Sequence, residues 1–345
     1  MAEPKAPHEA PEHHVTGIDY SDRSHLRFAG PIIDVHAHVM VTRPDEPKTG
    51  PPVGTGPGAS TEQAATMLDI GRSFGIVKTY SMCLPQDIPP LRERFGDALE
   101  FNGSIHKQKI DDPDDEAYRL LDQYLELGVK IIKFWSAPRG RERGLFVDAP
   151  WRIESVKRAS AAGVRVFMVH VADPDIWFRT VYTDVAKFGA KAEHYIGLER
   201  MLGMFPDLTW IGAHMGGDSE HPDHLQALLE KYPNLVLDTS ATKWQVREVS
   251  ARRDAIRTLM YRFPERFLFG TDLVTRHHLP AEHYVSRYWC QRTLWESAWE
   301  GPSPIADPDY SPAQGEPALP MLRGLDLPQE VLEKVYYQNS VQLLS

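Results

Sequence analysis

The stretch IIDVHAHV, Ile32–Val39, decides the fold because it joins an apolar strand to two closely spaced histidines. Successive side chains of a strand point to opposite faces, so His36 and His38 lie on the same side. Two imidazoles on one side can bind one divalent metal ion. Asp34 lies on that side as well and is a candidate orienting partner. An HxH triplet alone is as compatible with chance as with a metal site.

Seven more apolar runs follow, and each is short and rich in Val, Ile, Leu or Phe, which is typical of strands buried on both faces. With Pro31–Val35 as the first, the predicted strands are Gly75–Met82, Leu99–Ile105, Val129–Phe134, Val164–Val169, Leu208–Ala213, Leu235–Asp238 and Phe267–Gly270. Strict alternation with helices predicts an α/β fold, a (β/α)8 TIM barrel. No glycine-rich phosphate loop follows the first strand, which disfavours an open doubly wound sheet.

Helical spacing of apolar residues, with Gly or Pro stops, predicts the helices between these strands. They are Ser60–Ser73, a helix from Pro113 to about Gly128, Pro150–Ala162, Ala192–Phe205, Pro222–Tyr232, Arg247–Phe263 and a C-terminal helix, Pro328–Leu344.

Three segments lie outside this minimal pattern. Residues 1–29, rich in Pro, His and charge, are expected to form an N-terminal arm on residues 30–345, the barrel, or on a neighbouring subunit. Arg43–Ala59 and Val274–Pro320 are expected to be long loops on the catalytic face, where loops after barrel strands lie. Residues 274–320 are predicted to be a lid-like insertion over the barrel mouth. His13 and His14 are interpreted as part of a solvated tail.

Composition limits the partners and the compartment. The chain has 345 residues and a formal net charge of -10, with no basic patch for nucleic acid. Its two cysteines, Cys83 and Cys290, form neither a disulfide framework nor a cysteine zinc site, which favours a reducing, cytoplasmic compartment. Neither a secretory signal nor a membrane segment is expected. The expected partner is a small-molecule substrate, and a homodimer or higher homo-oligomer stays open.

Residues able to bind metal or transfer protons end three more predicted strands. The fifth strand ends in VFMVH at His170, the sixth in WIGAH at His214, and the eighth in FLFGTD at Asp272. These ends belong to the face where barrels carry their active sites. Imidazole and carboxylate ligands suit Zn²⁺, with Mn²⁺ and Fe²⁺ as alternatives.

These motifs together resemble the amidohydrolase superfamily, and in detail its family 2, the branch with the aminocarboxymuconate-semialdehyde decarboxylase-like enzymes. The similarity lies in the order and spacing of HxH, FPDLTWIGAHMGG, YPNLVLDTSA, RFLFGTD and LPQEVLEKVYYQNSVQLL. It covers the chain from Pro31 to the C-terminus, apart from the long loops. It implies a metal-dependent enzyme but does not specify the substrate.

The resemblance implies a role for each matching residue. His36, His38, His170 and Asp272 would bind one divalent metal ion, expected to be Zn²⁺. His214 would be a proton donor or acceptor rather than a ligand, and Asp272 would also accept a proton from a metal-activated water. Lys133 leaves three alternatives open: a carbamylated bridge between two metals, an ammonium that meets a substrate carboxylate, or a strand-end lysine paired with a carboxylate.

Aromatic and cationic residues follow several strands and are candidate substrate contacts. With Lys133 they are Trp135, Arg139, Trp177, Trp244 and Arg276. Such residues suit a planar or carboxylated small molecule. Ordinary packing is the alternative for each tryptophan.

The sequence favours a hydrolase that acts on an amide or lactone. Some decarboxylases of the branch replace the first histidine of HxH by an acidic residue, and this chain keeps both. A non-oxidative decarboxylase of an aromatic or unsaturated acid, using the same metal site, is the second hypothesis. A catalytically inactive binding module is the third, and it would predict the loss of a ligand, whereas all four are present.

Overall fold

The structure, a computed structural model, describes residues 18–39, 41, 61–107, 109–275, 279–305, 307 and 309–344. The predicted loop Arg43–Ala59, the candidate contact Arg276 and the pair His13 and His14 lie outside these ranges. No helix within the described ranges has both the length and the apolar character needed to cross a bilayer.

Within the described residues nine strands belong to the main sheet, and each of the eight predicted apolar runs overlaps one of the first eight. They are β1 (Ile32–His38), β2 (Ile76–Met82), β3 (Leu99–Ser104), β4 (Ile131–Trp135), β5 (Val166–His170), β6 (Thr209–Gly212), β7 (Leu235–Asp238), β8 (Phe267–Leu268) and β9 (Leu273–Val274). Helices alternate with the first eight strands. This order is that of a (β/α)8 barrel and confirms the predicted fold class.

The helices agree with the predicted ones in most of their bounds. They are α1 (Glu62–Ser73), α2 (Ile88–Phe95), α3 (Asp114–Glu126), α4 (Pro150–Ala161), α5 (Asp175–Thr180), α6 (Val185–Phe188), α7 (Lys191–Met204), α8 (Pro222–Lys231), α9 (Thr242–Ala251), α10 (Arg253–Arg262), α11 (Ala281–Glu296), α12 (Gln329–Glu333) and α13 (Asn339–Leu344). A π-helical turn joins α12 to α13. The predicted helix Arg247–Phe263 is wrong as a single element, because it breaks at Arg252 into α9 and α10.

Contacts divide the chain into two compact units. The first comprises the described residues up to Thr79 together with Thr239–Ser340. Within it, β1 pairs in parallel with β9, so that Ala37 lies beside Leu273 and His38 beside Val274. This pairing brings the end of the first strand next to the segment that follows β8.

The second unit comprises Tyr80–Asp238 and the C-terminal residues from Val341. Strands β3 to β7 pair in parallel in their chain order. One face of these strands packs Phe134, Phe167 and Trp210, with ring centroids of Phe167 and Trp210 5.2 Å apart. Alternation along the strands places Trp135 and His170 on the opposite face.

Helix α11 is a difference from the sequence prediction, which expected a loop throughout Val274–Pro320. Ala281–Glu296 is a helix of the first unit, and Arg292 donates hydrogen bonds to the carbonyl oxygens of Phe28 and Phe74. Buried residues occur on every side of this helix, so the sequence shows no apolar stripe from which to predict it. The lid-like role of residues 274–320 stays a prediction.

The described part of the predicted arm, from Ile18 to Ala29, lies along α11. The Nε2 atom of His25 is 2.8 Å from the hydroxyl of Thr293. The indole of Trp289 donates a hydrogen bond of 3.0 Å to the carbonyl oxygen of Asp22. This part of the arm is therefore packed within the first unit.

Candidate metal centre

The end of β1 brings three potential metal ligands together in the first unit. The Nε2 atoms of His36 and His38 lie 3.3 and 3.2 Å from one carboxylate oxygen of Asp272. His36 is fully buried, whereas His38 and Asp272 are partly exposed. Ligand atoms held at about 2.0–2.1 Å from a zinc ion are roughly 3.0–3.4 Å apart, so these donors suit one divalent cation.

The chain positions Asp272 by backbone hydrogen bonds to β1. Its amide donates a 2.7 Å hydrogen bond to the carbonyl oxygen of His36, and its φ of 58° is left-handed. Such a backbone costs of order 1–3 kcal/mol in a residue other than glycine, and it is found most often at functional sites. The neighbouring Thr271 donates two hydrogen bonds to Asp34, one from its amide and one from its hydroxyl.

Asp34 is the orienting partner that the sequence suggested, but it acts through the backbone. Its carboxylate accepts hydrogen bonds from the amides of His36 and Thr271, so it ties β1 to the segment that carries Asp272. Burial raises the pKa of Asp34 to about 7, although the hydrogen bonds from Thr271 and His36 act in the opposite direction.

Ser240 determines which nitrogen of His36 faces Asp272. The Ser240 hydroxyl lies 3.0 Å from Nδ1 of His36, which leaves Nε2 towards the carboxylate. A partner on the second ring nitrogen is the usual way to hold a ligating histidine in one tautomer. The first unit therefore offers two imidazoles, of which His36 is oriented by Ser240, and one carboxylate, a donor set that zinc and similar ions prefer.

The second unit brings together the other two predicted histidines. The rings of His170 and His214 meet edge to face with their centroids 4.7 Å apart, and both residues are buried. His170 ends β5, and His214 follows β6, as the sequence predicts. A predicted metal ligand is thus in contact with the predicted proton-transfer residue.

A chain of hydrogen bonds orients His170. Its Nε2 atom lies 2.8 Å from a carboxylate oxygen of Asp173, and the other oxygen of Asp173 accepts a 2.7 Å hydrogen bond from the hydroxyl of Tyr182. Burial and the Asp173 carboxylate raise the pKa of Tyr182, so its hydroxyl stays a donor. When Asp173 accepts the hydrogen on Nε2, Nδ1 of His170 carries the lone pair that can bind a metal.

The AHMGG segment holds His214 in an unusual backbone conformation. His214 has a left-handed φ of 59°, and its amide donates a 2.8 Å hydrogen bond to the carboxylate of Asp238. Gly217 has a φ of 70°, and a Cβ atom there would lie 2.2 Å from the carbonyl oxygen of Ala172. Only glycine permits this close approach between the segment and the residues after β5.

Two predicted substrate contacts lie beside His170. Alternation along β4 and β5 places Lys133 and Trp135 on the same face as His170. The rings of Trp135 and His170 meet at 81° with centroids 6.4 Å apart. Lys133 is buried, and Trp135 is partly exposed.

The other predicted contacts differ in their surroundings. Trp177 is buried and packs at 71° against the ring of Tyr182. Trp244 is buried in the first unit, within α9. The charge of Arg139 lowers the pKa of Tyr182, against burial and Asp173, which raise it. Arg276 lies outside the described residues. Contact of these four residues with a substrate stays a prediction.

Apart from Asp34, sequence reasoning missed the residues that orient the candidate ligands. Ser240 lies within the segment YPNLVLDTSA that carries the family resemblance, and Asp173 follows the candidate ligand His170 by three residues. The sequence around each of these two residues could therefore have drawn attention to it. Tyr182 had no such signal, because its contact with Asp173 arises only from the path of the chain around α5.

The comparison with family models agrees with the fold described above. A family model described as "Amidohydrolase" matches residues 33–345, nearly the whole chain. No curated protein matches the sequence.

Solved structures share the fold at low sequence identity. The 4-oxalomesaconate hydratase of Rhodopseudomonas palustris is 12% identical, with a TM-score of 0.51 over 91% of this chain and 95% of that chain. The 5-carboxyvanillate decarboxylase of Sphingomonas paucimobilis is 16% identical, with a TM-score of 0.50 over 91% and 98%. A probable 2-pyrone-4,6-dicarboxylic acid hydrolase of Acinetobacter baumannii is 12% identical, with a TM-score of 0.49 over 91% and 98%.

Proposed function

Because the chain belongs to the amidohydrolase family, a family of enzymes, we propose that it is a metal-dependent hydrolase of a small, carboxylated or cyclic substrate of the amide or lactone type. The observation that carries this proposal is the convergence of His36, His38 and Asp272 within 4.8 Å of one another. Two nitrogen donors and one oxygen donor form the core of many catalytic sites for divalent ions.

His36, His38, His170 and Asp272 would hold one divalent ion, with Zn²⁺ as the first expectation and Mn²⁺ or Fe²⁺ as alternatives. When bound, such an ion supplies Lewis acidity and makes hydroxide available at neutral pH. His170 is included because it ends β5 and Asp173 orients its ring. Ser240 does the same for His36.

His214 and Asp272 would move the protons. Asp272 has a second carboxylate oxygen that can accept a proton from the attacking water while the first is turned to the histidines. The backbone amide of His214 donates a hydrogen bond to the carboxylate of Asp238, and its ring contacts the ring of His170. The imidazole of His214 therefore has a defined position. A histidine titrates near neutral pH and can protonate a leaving group.

Non-oxidative decarboxylation of an aromatic or unsaturated acid is the second candidate. The chain shares its fold with a 5-carboxyvanillate decarboxylase, and the same four ligands would serve that reaction. In this reaction His214 would protonate the carbon that loses carbon dioxide, instead of a leaving group. The two candidates therefore differ in the product and not in the site.

A product screen decides between the two candidates. Purified protein is incubated with lactones, amides and aromatic acids, and both hydrolysis products and carbon dioxide are measured. Hydrolysis of a lactone or amide without carbon dioxide supports the hydrolase. Release of carbon dioxide from an aromatic acid, with no hydrolysis in the panel, would replace it by the decarboxylase.

Substrate contacts and assembly extend the proposal. Lys133, Trp135, Arg139, Trp177, Trp244 and Arg276 would contact the substrate. The segment 274–320 would contribute a lid, and a homodimer or higher homo-oligomer would be the assembled form.

Truncation of the exposed tip at residues 311–319 is expected to raise KM more than it lowers kcat if that part of the segment covers the substrate.

Removal of the Asp173 carboxylate is expected to weaken metal binding about 10- to 100-fold, the usual effect of losing the partner of a ligating histidine. In Asp173→Ala the acceptor on Nε2 of His170 is lost, so the ring no longer has a fixed tautomer or orientation. The metal dissociation constant is measured by competition with a chromophoric chelator, which needs no substrate.

Two further variants serve as controls for this prediction. Asp173→Asn keeps an acceptor oxygen and is expected to lose less affinity than Asp173→Ala. Tyr182→Phe removes only the next hydrogen bond in the chain and is expected to lose least. Equal metal affinity in wild type and Asp173→Ala would show that Asp173 does not position a ligand.

A further inference from the structure

Two arginines of one 3-10 helix, Pro138–Arg143, stack on aromatic rings but differ in their charge partners. The Arg141 guanidinium lies 5.1 Å from the ring of Phe146 and forms an ion pair of 3.4 Å with Glu193. The Arg143 guanidinium lies 5.0 Å from the ring of Trp135. Among the residues that the structure describes, the guanidinium of Arg143 has no hydrogen-bond partner and no carboxylate within ion-pair distance.

Arg152 adds a second positive charge, and no carboxylate of the described residues forms an ion pair with it. It is fully buried and donates hydrogen bonds to the carbonyl oxygens of Trp135 and Leu145 and to the hydroxyl of Ser136. Its Nε atom has no hydrogen-bond partner within the described part of the chain. Burial, and then the charge of Arg143, lower the pKa of Arg152 to about 9.

His106 responds to these two positive charges and is uncharged beside them. Burial lowers its pKa, and the charges of Arg143 and Arg152 lower it further. Buried charges of one sign are costly unless an opposite charge offsets them. The cost here would fall if an anion were bound beside Arg143.

The strand register places this region next to the candidate ligand His170. Ser104 of β3 pairs with Lys133 of β4. His106 lies two positions after Ser104, and Trp135 lies two positions after Lys133. Trp135 in turn pairs with His170 of β5. The stacked arginine thus lies at the carboxyl ends of β3 and β4, one strand away from His170.

We propose that Arg143, stacked on Trp135 and supported by the positive field of Arg152, binds a carboxylate group of the substrate. A flat guanidinium can donate two parallel hydrogen bonds to a carboxylate, and stacking on an indole fixes its plane. Arg152 acts only through its field, because its guanidinium is buried and bonded to backbone oxygens. This inference rests on the proposed function and assigns the substrate class to carboxylates of planar molecules.

Ligand-observed NMR of the full chain with benzoate tests the inference, because it detects dissociation constants in the millimolar range. Benzamide, which has nearly the same shape and no charge, is the matched ligand. Arg143→Met is the test variant. Arg141→Met is the matched control, because Arg141 belongs to the same helix and also stacks on a ring but already has a carboxylate partner.

The expected result is a dissociation constant for benzoate that rises about 10- to 100-fold in Arg143→Met, the range for a hydrogen bond between charged groups. Benzamide binding and the Arg141→Met variant are expected to change less than about threefold. Unchanged benzoate binding in Arg143→Met, or an equal loss in Arg141→Met, would overturn the proposal. Tighter binding of inorganic phosphate than of benzoate would contradict the carboxylate class.

Measurements with and without a chelator separate this inference from the proposed function. Benzoate binding that depends on Arg143 and survives chelation supports the carboxylate site even if the protein proves not to be a metal-dependent enzyme. Benzoate binding that chelation abolishes and Arg143→Met leaves unchanged would place the carboxylate on the metal and contradict the inference.

Discussion

Asp272→Asn is expected to lower turnover by at least about 10²–10⁴-fold, and to reduce metal affinity as well. The substitution removes a negative charge from the ligand set, and it also removes the carboxylate that would accept a proton. The left-handed backbone at this position is one that asparagine tolerates, so the fold should persist. Turnover at saturating metal and metal content per chain are measured together.

Asp326 provides a matched control for this prediction. It belongs to the same unit, has a left-handed φ of 52° and forms an ion pair with Arg27. Asp326→Asn makes the same chemical change outside the candidate centre and is expected to leave both turnover and metal content near the wild-type values. Full turnover in Asp272→Asn would remove this residue from the mechanism.

His214→Asn should lower turnover by a comparable factor, roughly 10²–10⁴, while metal content stays near normal. His214 would transfer a proton without binding the ion, so its loss affects the reaction and not the metal site. Asparagine again suits the left-handed backbone. Metal stoichiometry and turnover are compared with those of His170→Asn, which should lose metal.

The comparison of these two histidines distinguishes their roles. Loss of metal in His214→Asn with retention in His170→Asn would mean that the two assignments must be exchanged. Full activity in His214→Asn would remove the proton-transfer role. His224→Asn is the control, since His224 lies in the same unit and is bonded to Asp218.

The strands were the part of the fold that the sequence predicted best. Most positions of the apolar runs are buried, so each run is rich in Val, Ile, Leu or Phe and stands out in the sequence. Helix α11 escaped because charged and polar residues such as Arg292 and Glu296 are buried in it, paired with each other and with the backbone. Helix α2 is short, and two prolines follow its first residue, Ile88. In the sequence this pattern is typical of a loop.

The residues of the candidate centre could likewise be predicted only in part. The positions of the candidate ligands could be predicted because His36 and His38 share a strand face, and because His170 and Asp272 end or follow strands; their role as ligands stays a prediction. Asp34 was suggested as an orienting partner, but Ser240 could not be, since it contacts His36 from a distant part of the chain. Arg143 was overlooked in favour of Arg139, because only the structure shows which of the two arginines stacks on Trp135.

Metal content per chain, measured by mass spectrometry on protein purified without added chelator, tests the central claim most directly. The proposed centre predicts about one divalent ion per chain, with loss of activity on exhaustive chelation and recovery when the ion is restored. Replacement of His36 or His38 by alanine should leave the centre largely empty. Full activity in protein from which chelation has removed all detectable metal would contradict the account.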